Sequence, residues 1–225
     1  MITAVTTCMG RLNHLEITLP LMLNEFDSVI VVDWSCPQRS GEFALELGAT
    51  VVFQPGQAYF SRSGARNLGA GLVDSDYICM VDADIMCMPG LKQEIASLID
   101  DRTMVFSSRT KDGFDTPDTF GFIVCPTKSF QSVKGYSEEF KGWGHEDSHL
   151  RGKLLFEAGL SPKRLDGMSI GAIAHGNHLR DINHEDNIYH TASVNYGLLC
   201  DYFNTKGISD WERDPKTEGI TFVRS

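Results

Sequence analysis

The sequence predicts an α/β protein with a mostly parallel central sheet flanked by helices. Short apolar runs alternate with helix-period segments through the first hundred residues, joined by short connections. Runs such as 29–32 and 77–81 are uniformly apolar, as strands covered on both faces are.

Residues 2–7 read as the first strand. Over 12–23 apolar residues recur at helical spacing (Leu12, Leu15, Leu19, Met22, Leu23), with Pro20 expected to kink or end the helix. Residues 29–32 form the second strand, and 41–47 a short helix stopped by Gly48. A strand at 51–53, a helix at 63–72 and a strand at 77–81 follow, and Pro89-Gly90 opens a helix through Ile99. The second half is less regular. Residues 104–107 and 120–125 read as strands around a polar loop, and 147–158 as an amphipathic helix closed by Gly159. A strand at 170–174 leads into a histidine-rich stretch, and 191–203 reads as a last helix. The final twenty residues carry no clear pattern. No repeat or linker divides the chain, so one domain over 1–225 is expected, with parts at 1–100, 101–190 and 191–225.

The 225 residues are 42% hydrophobic and 22% charged, which excludes a disordered chain. Twenty Lys+Arg against 30 Asp+Glu leave a net charge of −10, which argues against nucleic acid as a partner. An anionic ligand would need local arginines or a metal ion. No run approaches the roughly 18 apolar residues of a membrane span, and no basic-then-apolar leader opens the chain, so neither a membrane segment nor a signal peptide is expected. The six cysteines contain no C-x-x-C pair; unbridged thiols and a cytoplasmic location follow as expectations.

In a wound parallel sheet ligands bind beyond the carboxyl ends of the strands. Directly after one of these lies Asp82-Ala83-Asp84. Carboxylates two apart can both face a ligand where the chain bends, and hard cations take oxygen ligands; a solvated turn explains the same residues. Gly142-Trp143-Gly144-His145-Glu146-Asp147 opens a helix. First-turn carboxylates suit the helix dipole, but that leaves a tryptophan between glycines unexplained. An aromatic platform on a mobile loop, suited to a sugar or a base, explains it. Four of the seven histidines stand at 175, 178, 184 and 190. His175 and His178 are either metal ligands or solvated loop residues. His145 and His149 stand four apart, the spacing of two ligands on one helix face. Arg62 and Arg66, at a helix start, either hold phosphates or form a charged face.

Together these motifs resemble the glycosyltransferases of the GT-A fold, the Rossmann-like fold of nucleotide-diphospho-sugar transferases. The likeness is to the β-1,4-galactosyltransferase type (family 7-like), with related patterns in the family 2 transferases. It runs in order over residues 2–180, through Gly10-Arg11, Val31-Val32-Asp33, Phe60-Ser61-Arg62, Asp82-Ala83-Asp84, Phe120-Gly121 and Gly135-Tyr136. Trp143-Gly144-His145-Glu146-Asp147 and His175-x-x-His178 complete it.

The resemblance implies a metal-dependent, inverting enzyme that moves a hexose or N-acetylhexosamine from a UDP-sugar to a saccharide or other hydroxyl acceptor. Arg11, Asp33, Phe60 and Arg62 would contact the nucleotide, with Asp33 near the uracil or ribose. Arg66 would join them, and Asp82 would face the donor sugar or ribose. Asp84 would bind Mn²⁺ (or Mg²⁺) with His178 and His175. Trp143 and Glu146 would shape the acceptor site, and Asp147 would be the general base. Residues 1–100 would then be the nucleotide-sugar half and 101–190 the acceptor and catalytic half.

Three departures stand out. His145 replaces a small residue of the family pattern. His175 stands where Met is common. Thr119 stands where a tyrosine lies near the donor sugar, which predicts that UDP-GalNAc or UDP-GlcNAc competes with UDP-galactose. The stem and anchor of Golgi enzymes are also not apparent. Two other readings remain. A nucleotidyltransferase would need a glycine-rich basic loop after the first strand, where residues 7–11 hold one glycine and one arginine. The second is a non-catalytic sugar- or nucleotide-binding protein of the same fold.

Overall fold

The computed structural model describes residues 1–107, 119–165, 168–176, 183–208, 211–213 and 220–222, the last two stretches in backbone only. Its first half keeps the expected rhythm: β1 (Ile2–Cys8), α1 (Leu12–Glu25), β2 (Ser28–Trp34), α2 (Ser40–Glu46), β3 (Thr50–Gln54), α3 (Arg62–Ala70) and β4 (Tyr77–Met80). Then come β5 (Ile85–Cys87), α4 (Leu91–Leu98), β6 (Thr103–Phe106), β7 (Ile123–Pro126), α5 (Thr127–Ser132) and α6 (Glu146–Phe156). β8 (Ser161–Arg164), β9 (Ile170–Ala172), α7 (Ile188–Thr205), β10 (Trp211–Arg213) and β11 (Ile220–Phe222) complete the described elements.

Seven strands form the main sheet in the order β3-β2-β1-β4-β7-β6-β8. β3, β2, β1 and β4 are parallel, β7 runs against both β4 and β6, and β8 is parallel to β6. The sheet is therefore mostly parallel, as expected. Strand residues alternate between its faces. Ala4, Val29, Val31 and Cys79 join the core under α1, α2 and α4. Val5, Ile30, Ile78 and Met80 face Ala70 of α3 and Leu150 and Leu154 of α6. α7 packs on α6 through Leu199 and Phe203.

Three expectations change. α1 does not stop at Pro20, which lies on the exposed face while the helix runs on to Glu25. Residues 119–122 form a turn ahead of β7 instead of its first half, closed by Phe122 N–H donating to Thr119 O at 3.0 Å. β9 leaves the main sheet and pairs antiparallel with β5. β8 gave no sequence signal because all four of its residues are exposed: it is a polar edge strand carrying Pro162. Among the described residues no helix is long and apolar enough to cross a membrane.

α3 presents Arg62 and Arg66, and its start is fixed by Ser61, whose Oγ accepts from Gly64 N at 3.2 Å. Ser61→Ala is expected to cost about 1 kcal/mol, lowering Tm by roughly 2–4 °C in a chain of this size, measurable by calorimetry. An unchanged melting point would mean that the cap contributes nothing.

Candidate active site

A cleft of about 220 Å³ opens past the carboxyl ends of β1 and β4. The turn after β1 contributes Met9 and Arg11, the start of α3 contributes Phe60 and Arg62, and the bend after β4 contributes Asp82 and Asp84. The segment entering α6 supplies Trp143, Glu146 and Asp147, while His175 and Tyr196 complete the wall. The structure thus brings together nearly all the described candidates.

Arg66 is central to this arrangement. Its side chain is 4% exposed. One terminal nitrogen donates to Glu146 Oε1 at 3.2 Å and Asp147 Oδ1 at 3.1 Å, and the other to Asp82 Oδ1. The guanidinium carbon also lies 4.9 Å from the Tyr136 ring centre, and Tyr136 donates its hydroxyl to Asp147 Oδ1 at 3.0 Å. Placing one cation among three carboxylates avoids burying like charges unpaired. Instead of pointing at a ligand phosphate, Arg66 spends its donors inside the protein.

The carboxylates diverge in acidity. Burial pushes Asp147 up to about 7, with Glu146 and Asp82 adding to the rise and Arg66 opposing it. Burial also favours neutral Asp82, but Arg66, Arg62 and Arg11 outweigh it and hold Asp82 below the ordinary carboxylate range. Neighbouring carboxylates with opposite shifts are the pattern of an acid/base site.

Arg62 is different from Arg66. Its Nη1 is buried without a hydrogen-bond partner, and burial lowers its pKa against the attraction of Glu146. A buried guanidinium nitrogen lacking an acceptor suits an anionic ligand.

At the other end of the Asp82-Ala83-Asp84 bend, Asp84 Oδ2 and His175 Nε2 meet at 2.8 Å. Arg11 Nη1 is 4.0 Å from the same oxygen, and the His14 ring stacks on His175 at 5.5 Å. Burial and Arg11 lower the pKa of His14. Among the described residues no three His, Cys, Asp or Glu side chains gather closely enough to hold a metal. Asp84 and His175 supply two converging ligand atoms of the kind Mn²⁺ or Mg²⁺ accepts; His178 lies outside the described residues.

Asp33 departs from its expected place. It is buried outside the cleft, and its carboxylate accepts from Cys36 N and Gly41 N at 2.7 Å and from Ser40 Oγ at 3.0 Å. These bonds fix the turn into α2. Thr119 likewise turns from the cleft, its hydroxyl paired with that of Ser107 at 2.7 Å. Gly121 does face the cleft floor: a Cβ there would lie 2.2 Å from Asp82 Oδ2.

The Trp143 loop is strapped to α7. Asn195 Nδ2 donates to Lys141 O at 2.8 Å, Gly144 O at 2.9 Å and Trp143 O at 3.2 Å. Thr191 Oγ1 accepts from Trp143 N at 3.1 Å. Gly142 has φ +65°, and a Cβ on it would lie 2.6 Å from the Thr191 methyl. This close approach accounts for one glycine without invoking loop motion. His145 itself adopts φ 68° and sets its ring 5.4 Å from that of Tyr196. Sequence reasoning gave no role to Tyr136, Thr191 or Asn195. Tyr136 was noted only as part of the Gly135-Tyr136 element, and Thr191 and Asn195 carry no motif; only the fold brings them here.

The model of a family described as the N-terminal domain of galactosyltransferase matches residues 104–181. Bovine beta-1,4-galactosyltransferase 1 is 30% identical over 172 residues, which is 72% of this chain and 42% of the relative. The chain spans less than half the length of the curated relatives it matches. Residues 1–349 of S. aureus TarS, solved with UDP-GlcNAc, superpose with a TM-score of 0.64 at 13% identity, over 92% of this chain and 75% of that one. A variant of Drosophila beta1,4-galactosyltransferase 7, solved with manganese, UDP-Gal and xylobiose, gives a TM-score of 0.54 at 16% identity, over 100% and 95%. The wound sheet, the strand-end cleft and these matches agree: the chain has the GT-A fold and is galactosyltransferase-like.

Proposed function

We propose that the chain is a metal-dependent, inverting glycosyltransferase that moves a hexose or N-acetylhexosamine from a UDP-sugar to a saccharide hydroxyl. The observation that carries this reading is Asp147, a cleft carboxylate pushed up to about 7. A general base works best with a pKa near the operating pH. Its Oδ1 already accepts from Arg66 and Tyr136, so Oδ2 is the oxygen assigned to take the acceptor proton. The likeness to structures solved with UDP-GlcNAc and with manganese, UDP-Gal and xylobiose supports donor and acceptor of these classes.

Trp143 and Glu146 then orient the acceptor. Arg11, Phe60 and Arg62 hold the nucleotide, with the unpartnered Arg62 Nη1 directed to a diphosphate oxygen. Asp33 acts on the nucleotide only indirectly, through the turn it fixes. Asp84 and His175, with His178, would hold Mn²⁺ or Mg²⁺, which when bound neutralises charge on the leaving diphosphate. In a chain of net charge −10 a diphosphate needs such compensation. The free cysteines support a reducing, cytoplasmic setting.

The test is UDP release from UDP-Gal, UDP-GlcNAc and UDP-GalNAc in Mn²⁺ across a panel of saccharide acceptors. Acceptor-stimulated release from at least one donor is expected; none from any donor would refute the proposal. Asp84→Ala is expected to weaken Mn²⁺-dependent UDP binding at least tenfold, as loss of about 1.4 kcal/mol or more would. Titration calorimetry showing equal affinity for parent and variant would remove Asp84 from the metal site.

A further inference from the structure

Tyr136 follows α5 and is 2% exposed, yet its hydroxyl reaches Asp147 in the cleft wall and donates to Oδ1 at 3.0 Å. This placement is built into the fold. Asn67 grips the Tyr136 backbone on both sides: its Nδ2 donates to Tyr136 O and its Oδ1 accepts from Tyr136 N, each at 2.9 Å. Gly135 permits the close approach, because it has φ +55° and a Cβ there would lie 2.6 Å from Asn67 Oδ1. The ring also meets the Arg66 guanidinium carbon at 4.9 Å and the Phe130 ring edge-on at 6.1 Å. Helix α3 therefore holds Asp147 twice, through Arg66 directly and through Asn67 by way of Tyr136.

We infer that Tyr136 is a positioning residue for the transfer, its hydroxyl stabilising the ionised Asp147 carboxylate and fixing Oδ1 so that Oδ2 is presented to the acceptor. This role rests on Asp147 being the general base proposed above. A hydroxyl that donates to a carboxylate favours its ionised form. Burial holds the Tyr136 hydroxyl well above its ordinary value, with Asp147 and Asp82 adding to the rise against Arg66, so it stays a donor. The charged groups around Asp147 are Arg62 and Arg66 on α3, Asp82 after β4, and Glu146 and Arg151 on α6. A further cation in place of Tyr136 would make Asp147 a weaker base. A neutral hydroxyl orients the carboxylate and leaves it basic.

Tyr136→Phe removes the hydroxyl and keeps the ring on Arg66 and Phe130. One test needs no turnover: the melting temperatures of the parent, Tyr136→Phe, Asp147→Asn and the double variant at pH 5 and pH 9. Asp147 titrates at about 7, so the bond to its ionised form is present at pH 9 and absent at pH 5. The deficit of Tyr136→Phe relative to the parent should therefore be larger at pH 9. In the Asp147→Asn background the deficit should be the same at both pH values. A deficit in the parent background that does not grow with pH overturns the inference and leaves Tyr136 a packing residue.

The companion test is UDP release from UDP-Gal, UDP-GlcNAc and UDP-GalNAc in Mn²⁺, with saccharide acceptor, as a function of pH. In Tyr136→Phe the rising limb should move up by about one pH unit, a tenfold change in the ionisation constant. Its plateau kcat should fall while the donor KM stays that of the parent, as loss of an interaction made in the transition state requires. A limb that coincides with the parent's overturns the inference alone. A parent that turns over no donor refutes the transferase reading and the positioning role with it, while the melts still report whether Tyr136 holds the Asp147 charge. If Tyr136→Phe does not fold, Asn67→Ala, which keeps the hydroxyl and frees its backbone, takes its place: the limb should move the same way, and an unmoved limb overturns the inference.

Discussion

Asp147→Asn is expected to lower kcat by roughly 10²–10⁴-fold, the range supplied by a positioned general base, while leaving UDP binding intact. Asparagine keeps the shape and one carbonyl oxygen for Arg66 and Tyr136 but accepts no proton. In the parent, the rate should rise with pH and level off above about 7, because Asp147 must be ionised to act and burial holds it at about 7. The variant's residual rate should lose that limb. Linkage gives an independent sign. A carboxyl whose folded value is raised contributes stability present below about pH 4 and lost as pH rises through 7. Asp147→Asn should therefore melt higher than the parent at pH 8, with the difference fading by pH 4. Parallel rate profiles for parent and variant would remove Asp147 from the proton transfer, and a parent without turnover would mark a binding protein.

Arg66→Met carries the largest expected stability effect. It strips the shared cation from Asp82, Glu146 and Asp147, two of which are 7% and 14% exposed. Removing one partner from a buried ionic cluster costs about 3–5 kcal/mol, a fall in Tm of roughly 10 °C for a chain of this length. The loss should be smaller at pH 5 than at pH 7.5. Without Arg66 the folded-state carboxylates are raised, so their stability is present at low pH and disappears as they ionise. Adding Asp82→Asn should restore part of the loss. Thermal melts placing Arg66→Met within two or three degrees of the parent would show that the cluster is not held this way.

Much of this architecture was legible in the sequence, for physical reasons. The strands β1, β2 and β4 are buried on both faces, β2 and β4 in apolar runs, and the site residues stand at the ends of β1 and β4. Asp82 and Asp84 announced themselves as acidic residues after such a strand, and Glu146 and Asp147 as first-turn residues of a helix behind Gly142-Trp143-Gly144. β8 stayed hidden because an exposed edge strand needs no apolar pattern. Arg66 was placed in the right cleft but given the wrong neighbours. Nothing local to α3 reveals that Glu146 and Asp147, some eighty positions away, meet its guanidinium. Asp33 misled in the opposite way. A carboxylate after a strand suggested a ligand contact, whereas two backbone amides and a hydroxyl of its own turn satisfy it. The strap from Asn195 and Thr191 to the Trp143 loop was invisible for the same long-range reason.

The most direct test of the central claim is the melting temperature of the purified protein with UDP, GDP, CMP or ADP, each in Mn²⁺ or in EDTA. A ligand that binds only the folded state raises the melting point. The account predicts a rise with UDP in Mn²⁺ that EDTA abolishes. A protein whose melting temperature responds to none of these nucleotides in Mn²⁺ would contradict it.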